Sequence, residues 1–344
     1  MDINLFDFIL PEHLIAQYPS EKRENARLLV INKENETIVD EHFYDITKYF
    51  NRGDVLVIND TKVIPVRLYG TKIPTGAKVE TIILKQIDDN LYEVIIRNAK
   101  VIHLGTKIDF GEGKLIGECT AKLRDGVHHL RFSYQGKFLE VLDEVGSIPL
   151  PPYIKDEKEK YSRYQTVYAK KPGSAAAPTA GFHFTEAILE ELKRQGVKVA
   201  KITLNIGLAT FRPLKVAHTK DHIMHEETYE ISQETADLLN DALKTNARII
   251  SVGTTSTRAL EANYLKYGEI KATNEATDLF ITPGFKFNVV SRLITNFHLP
   301  KSTLIMLVSA FSNRELILKA YMHAISNNYR FFSFGDVMYI YGKD

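Results

Sequence analysis

Short apolar runs and amphipathic stretches alternate at both ends of the chain, while its middle carries a different texture. Arg27 to Ile31 and Asp54 to Ile58 read as strands, with F-Y-D-I-T-K-Y-F between them as a short helix, which begins an α/β layer. From about Tyr69 to Gly146 the chain turns to short strands: V-E-T-I-I-L-K-Q, L-Y-E-V-I-I-R-N and H-H-L-R-F-S. Turn residues at Asp88-Asp89-Asn90, Gly111-Glu112-Gly113 and Asp125-Gly126 separate them. Strands repeating at roughly ten-residue spacing predict a small β-barrel or sandwich. After P-L-P-P-Y and the mixed-charge run Lys155 to Lys160, which reads as a solvated linker, the alternation resumes. There V-K-V-A-K-I-T-L, A-R-I-I-S-V, D-L-F-I and R-L-I-T-N read as strands, and helices are predicted near 185–195, 232–245, 256–267, 302–311 and 314–327. The predicted fold class is α/β: a larger, discontinuous domain over 1–68 and 147–344, with a smaller inserted antiparallel β-barrel domain over 69–146.

Composition narrows the class of function. The 344 residues are 44% hydrophobic and 25% charged, which excludes disordered and fibrous proteins and gives enough length for two cores. A formal charge of +1 means that a nucleic-acid partner would have to meet a local basic surface. The lone Cys119 permits no internal disulfide, and no CxxC or Cys/His spacing suggests structural zinc, so a reducing compartment is expected. M-D-I-N-L-F-D-F carries acids where a signal peptide carries lysine or arginine. The longest apolar run, Thr303 to Phe311, falls far short of the roughly 20 residues that span a bilayer. A cytoplasmic protein is expected.

Candidate chemistry sits where predicted strands end. G-S-A-A-A-P-T-A-G-F-H-F-T, Gly173 to Thr185, combines small residues that let backbone amides approach a ligand with one imidazole, making Thr179, Gly181 and His183 candidates. Plain packing against a sheet is the equal alternative. V-G-T-T-S-T-R-A-L-E, residues 252 to 261, opens a helix whose N-terminus suits an anionic or polar group and offers Thr254 and Thr255. Arg258 and Glu261, one turn apart, either pair with each other or hold a carboxylate and a ribose hydroxyl. T-N-F-H-L-P-K-S-T, residues 295 to 303, places Asn296 and His298 at another strand end, although a histidine satisfied within the core is the commoner case. N-D-T-K-V-I-P-V-R-L contributes Asn59, Asp60 and Lys62, either to a cleft or to a turn and edge strand. His218, His222, His225, Glu226 and Glu227 crowd into one span, but without a clear third ligand for a metal; an RNA-facing or gating loop needs no such geometry. Neither G-x-G-x-x-G nor G-x-x-x-x-G-K-[ST] occurs.

Together, N-D-T-K-V-I-P-V-R-L, V-G-S-I-P-L-P-P-Y-I, R-Y-Q-T-V-Y-A, A-A-P-T-A-G-F-H-F-T, H-I-M-H-E-E-T-Y, V-G-T-T-S-T-R-A-L-E, D-L-F-I-T-P-G-F, T-N-F-H-L-P-K-S-T-L and Y-R-F-F-S-F-G-D-V-M resemble the S-adenosylmethionine:tRNA ribosyltransferase-isomerases of queuosine biosynthesis. The chain departs from that pattern at T-L-N-I-G-L-A-T-F, with Asn205 for a histidine and Ala209 for a glycine, which leaves position 205 outside the catalytic set. The resemblance implies transfer of the ribosyl carbons of S-adenosylmethionine to the aminomethyl group of a 7-deazaguanine at the tRNA wobble position. Epoxyqueuosine-tRNA, adenine and methionine would result. It implies S-adenosylmethionine as co-substrate, no further cofactor, no metal and no membrane partner; a monomer is favoured. By residue type within the matched motifs, His183 or His298 would act as base, with the other histidine or Asp60 as acid. Arg258 would hold the methionine carboxylate, Thr254, Thr255 and Glu261 polar atoms of the ribose or amino group, and Thr179, Gly181 and Asn296 further substrate contacts. Lys170, Lys171, Arg194, Lys198 and Lys215 would meet tRNA phosphates. Two rivals stand: a tRNA methyltransferase using the same co-substrate, and a noncatalytic RNA-binding module in which Tyr92, Phe132 and Tyr134 stack bases.

Overall fold

The computed structural model describes residues 1–97, 99–124, 126–155, 162–207 and 216–342. The chain divides into two compact units, one of Met1–Lys62, Pro152–Lys171 and Ala177–Asp344, the other of Val63–Pro151 and Pro172–Ala176.

The smaller unit is built on a closed antiparallel barrel. Its strands Arg67–Ile73, Lys78–Asp88, Leu91–Arg97, Val127–Tyr134, Leu115–Lys122 and Lys107–Phe110 pair in that spatial order, and the last returns to pair with the first. Closure pairs the two outer strands of these six with each other, and Gly146–Ser147 adds a short strand to the first. Period-two burial along Lys78–Asp88 and Leu91–Arg97 sends Val79, Tyr92, Val94 and Ile96 inward. Tyr92 and Phe132 are buried, and Tyr92 lies 4.6 Å from the ring of Phe138, so these rings fill the core rather than offer faces to bases. Phe138 opens a helix, Phe138–Val145, that the strand-rich texture hid.

The larger unit is a nine-stranded mixed sheet with helices. Its strands are β1 (Arg27–Asn32), β2 (Thr37–His42), β3 (Val55–Asn59), β4 (Lys198–Leu204), β5 (Glu227–Ile231), β6 (Ile249–Val252), β7 (Thr273–Thr277), β8 (Arg292–Asn296) and β9 (Val337–Tyr341). They lie in the order β7-β5-β4-β3-β6-β8-β9-β1-β2. The expected strand D-L-F-I does not form; β7 takes the more polar Thr273–Thr277 instead, because it is an edge strand pairing on one side only, with β5. The helices are α1 (Glu186–Arg194), α2 (Gln233–Lys244), α3 (Gly253–Tyr267), α4 (Thr303–Phe311) and α5 (Arg314–Ser326). Side chains of Thr185, Ser232, Ser302 and Asn313 cap α1, α2, α4 and α5 by accepting a first-turn amide; α3 has no side-chain cap. The F-Y-D-I-T-K-Y segment forms a 3-10 helix. Apolar residues of the central strands, including Leu56, Ile250 and Ile294, pack with Phe43, Phe184 and Leu192 into one core.

Strands β3, β4, β6 and β8 are mutually parallel. Their carboxyl ends, at Asn59, Leu204, Val252 and Asn296, therefore point the same way, the end at which open α/β sheets place ligands.

Candidate active site

A cavity of about 330 Å³ opens at the ends of β6 and β8, against the 3-10 segment that follows Pro178. Its size falls in the range of small-molecule sites. Thr179, Thr254, Thr255, Asn296 and His298 line it, and among the described residues none that line it is Asp, Glu, Lys or Arg. Polarity comes instead from hydroxyls, an amide, an imidazole and two helix N-termini. At α4, Ser302 lines the wall and spends its hydroxyl on the amide of Ile305. At α3 the cap residue is Val252, which has no side-chain acceptor, so the first-turn amides have no partner within the helix. Gly253 makes the sharp passage from β6 into α3 at φ +86°, a conformation that a side chain would strain. Thr255 is buried, and its hydroxyl has no hydrogen-bond partner among the described residues.

The two histidines are separated by Asn296. The Asn296 amide nitrogen donates to the carbonyl of Phe332 at 3.2 Å and to Nε2 of His183 at 3.3 Å, while its oxygen accepts from Thr179 at 3.3 Å. A backbone carbonyl of Arg23 bonds the His183 ring as well. With Nε2 accepting, His183 holds its proton on Nδ1 and is neutral. Burial, reinforced by the charges of Arg330 and Arg23, pushes its pKa down to about 3. His183 does not line the cavity. His298 does, and its Nε2 lies 2.9 Å from the hydroxyl of Thr295, while its backbone amide donates to Tyr321. Burial lowers the His298 pKa to about 3 also, so this imidazole is unprotonated at neutral pH.

Other sequence candidates lie elsewhere. Arg258 and Glu261 do not pair. Arg258 is buried, donating to the carboxylate of Glu227 and, through Nε, to the carbonyl of Leu279 at 3.0 Å. Glu261 is fully buried and accepts the backbone amides of Asn288, Val289 and Val290 at 2.9, 3.0 and 2.9 Å, anchoring the approach to β8. Neither side chain lines the cavity. Gly181 is also outside it: a Cβ there would stand 2.0 Å from the hydroxyl of Tyr168, so its small size serves packing. Asp60 is buried beside Thr203, whose hydroxyl it accepts at 2.6 Å, and does not reach the cavity wall. Asn205 accepts from Thr61 at 2.8 Å, and Ala209 falls outside the described residues. In the histidine-rich span, Glu227 is committed to Arg258, and no group of three His, Cys, Asp or Glu among the described residues is arranged to hold a metal. Of the basic residues, Lys170 and Lys198 are exposed, Lys171 pairs with Glu230 at 2.7 Å, Arg194 pairs with Glu191, and Lys215 lies outside the described residues.

The sequence did not single out Tyr153, Phe332 or Ser333, which close the cavity. Tyr153 donates to or accepts from Ser333 at 2.7 Å, and its ring lies 4.8 Å from that of Phe332. Phe332 holds φ +71°, strained for an aromatic residue. That strain leaves no mark in residue spacing; the Y-R-F-F-S-F-G-D stretch carried it only as part of a resemblance.

Among the described residues no helix is long and apolar enough to cross a membrane. Residues 3–340 match the family described as queuosine biosynthesis protein. The chain is also similar to a crystal structure of an S-adenosylmethionine tRNA ribosyltransferase from Thermotoga maritima: 34% identical, covering 98% of this chain and 99% of that one, with a TM-score of 0.57. A match running from residue 3 to residue 340 carries the conclusion that the chain belongs to the queuosine biosynthesis protein family.

Proposed function

We propose that this enzyme transfers and isomerises the ribosyl moiety of S-adenosylmethionine onto the aminomethyl group of a 7-deazaguanine at the tRNA wobble position, in the cytoplasm. Epoxyqueuosine-tRNA, adenine and methionine are the products. The observation that carries this reading is the cavity without charged side chains, walled by an unprotonated His298 and the uncapped start of α3. Among the described residues, no cationic side chain lines the wall that a sulfonium substrate would meet. The aromatic pair Tyr153 and Phe332 offers ring faces to the sulfonium.

In this reading His298 accepts the C5′ proton beside the sulfonium, with Thr295 orienting the ring. Adenine leaves as the ribose opens, taking the proton that His298 accepted; the tRNA amine attacks and gives its proton to the sulfonium-stabilised carbon; and an epoxide closes as methionine departs. An imidazole held near a pKa of 3 is available as a free base at every physiological pH, but it is a weak one. Base strength therefore supplies little of the driving force, and the developing carbanion must be stabilised by the sulfonium and by prepositioned dipoles of the dry site. With Arg258 committed to Glu227, the methionine carboxylate is assigned to the first-turn amides of α3 and the unpartnered Thr255 hydroxyl, with Thr254, Thr179 and Asn296 as neighbouring polar contacts. Reading a wobble base requires the anticodon loop to present it unstacked.

The test is to incubate the purified protein with S-adenosylmethionine and tRNA bearing the aminomethyl-deazaguanine, following free adenine and the nucleoside mass together. Adenine release with a ribosyl-derived mass gain is expected. A methyl-sized gain with S-adenosylhomocysteine would assign the chain to the methyltransferases.

A further inference from the structure

Beside the cavity, and sharing Ser333 with it, lies a smaller pocket lined by Pro19, Ser20, Arg23, Arg163, Phe182, His183, Phe334 and Gly335. Arg23 and Arg163 line it, Arg330 reaches it only through Ser20, and the three are held in a similar manner. Arg23 donates to the carbonyls of Phe182 and Gln165, each at 3.0 Å. Arg163 donates to the carbonyls of Ser20 at 2.9 Å and Glu21 at 3.4 Å. Arg330 donates to the carbonyl of Tyr18 at 3.2 Å and to the hydroxyl of Ser20, which lines the pocket.

Nearly all these acceptors are neutral. Among the described residues Arg23 and Arg163 have no carboxylate within ion-pair distance, and Arg330 has one, Asp336, at 3.8 Å. Asp336 is itself occupied by the backbone amides of Arg27 and Arg330. Carbonyls fix the direction of a guanidinium without cancelling its charge. Each arginine has five N–H donors, and the bonds named above use two, so donors remain for an incoming group. The crowding has an electrostatic cost: burial and the charge of Arg163 lower the pKa of Arg23. A purely structural cluster would relieve that cost with a carboxylate; a cluster awaiting an anion would not.

We propose that Arg23, Arg163 and Arg330 form a binding site for a backbone phosphate of the RNA substrate, next to the nucleotide whose base enters the adjoining cavity. The site rests on the reading of the chain as a tRNA-modifying enzyme and adds what none of the lysines named above supplies: preset guanidinium forks in the pocket next to the reaction cavity. Two forks facing one phosphate match its oxygens in pairs. The shared Ser333 places the phosphate and the reacting base on opposite sides of one residue.

The test uses Arg163→Gln and, as an independent second variant, Arg330→Gln, each beside its Lys counterpart. Arg23 is left intact because its guanidinium holds the carbonyl of Phe182, next to His183, and that of Gln165. Binding of tRNA is measured from about 50 to 200 mM salt, together with S-adenosylmethionine affinity, melting temperature and adenine release. Each Gln variant is expected to bind tRNA about tenfold more weakly at low salt and to lower the slope of log Kd against log salt by about 0.7 to 0.9, with S-adenosylmethionine affinity unchanged. The Lys variants keep the slope, since they keep the charge. Unchanged slopes in folded Gln variants, with adenine still released by the wild type, would overturn the phosphate site alone. Inorganic phosphate binding that is lost in the variants while tRNA binding is untouched would also overturn it, marking a site for a free anion. A wild type that neither binds tRNA nor releases adenine would remove the functional reading itself.

Discussion

Asn296 donates its amide to Nε2 of His183 across 3.3 Å, and that bond separates the roles of the two histidines. The same amide group is held by the Phe332 carbonyl, so Nε2 of His183 cannot take a substrate proton without giving up a bond that fixes the cavity wall. His298 faces the cavity itself, and with its Nε2 donating to the Thr295 hydroxyl its Nδ1 is the free acceptor. His298→Ala should lower kcat by about 10² or more with S-adenosylmethionine affinity little changed. His183→Ala should act mainly on melting temperature and on KM. Equal losses of kcat in two well-folded variants would mean that both imidazoles move protons.

Acid sensitivity follows from the buried imidazole. In the unfolded chain His183 titrates near 6.5, whereas in the fold it stays neutral down to about 3. The unfolded state therefore binds the extra proton between those values, so the contribution is complete above about pH 6.5 and is lost as pH falls toward 3. Between pH 7 and pH 5 this one group should remove about 2 kcal/mol of stability. Urea unfolding at both pH values should show His183→Gln losing that much less than the wild type across the interval. Identical losses would place a charged imidazole in the native state.

The Arg258 and Glu227 side chains are both buried, at 4% and 6% exposure, so removing one partner strands the other's charge. Arg258→Gln should cost about 3 to 5 kcal/mol, read by denaturant unfolding. Because neither residue lines the cavity, the folded fraction should bind S-adenosylmethionine with near wild-type affinity. A stable variant that cannot bind S-adenosylmethionine would instead return Arg258 to the role its motif suggested.

Thr255 tests the carboxylate assignment. Thr255→Val keeps the shape and removes the unpartnered hydroxyl, and should weaken S-adenosylmethionine binding roughly tenfold to a hundredfold, the worth of one hydrogen bond to a charged group. Decarboxylated S-adenosylmethionine should bind the variant and the wild type alike in calorimetry. An equal penalty for both ligands would move the carboxylate away from the start of α3.

By itself the sequence determined the parts that depend on neighbours along the chain. Period-two alternation from Val79 to Ile96 gave the barrel strands, helical spacing placed the helices that begin near 185, 232 and 302, and strand-end polar motifs brought Asn296, His298, Thr254 and Thr255 to one cavity. Local spacing fails where the partner is remote. Arg258 and Glu261 stand one turn apart, yet Arg258 finds Glu227, 31 residues away, and Glu261 finds backbone amides 27 to 29 residues on, because burial demands the nearest compensating charge or donor in space. Likewise β7 forms from polar Thr273–Thr277 because β5 offers it an edge. Which histidine faces the cavity, which arginines gather beside it on backbone carbonyls, and the strain at Phe332 were all decided by contacts between segments up to about three hundred residues apart, and only the folded chain contains those contacts.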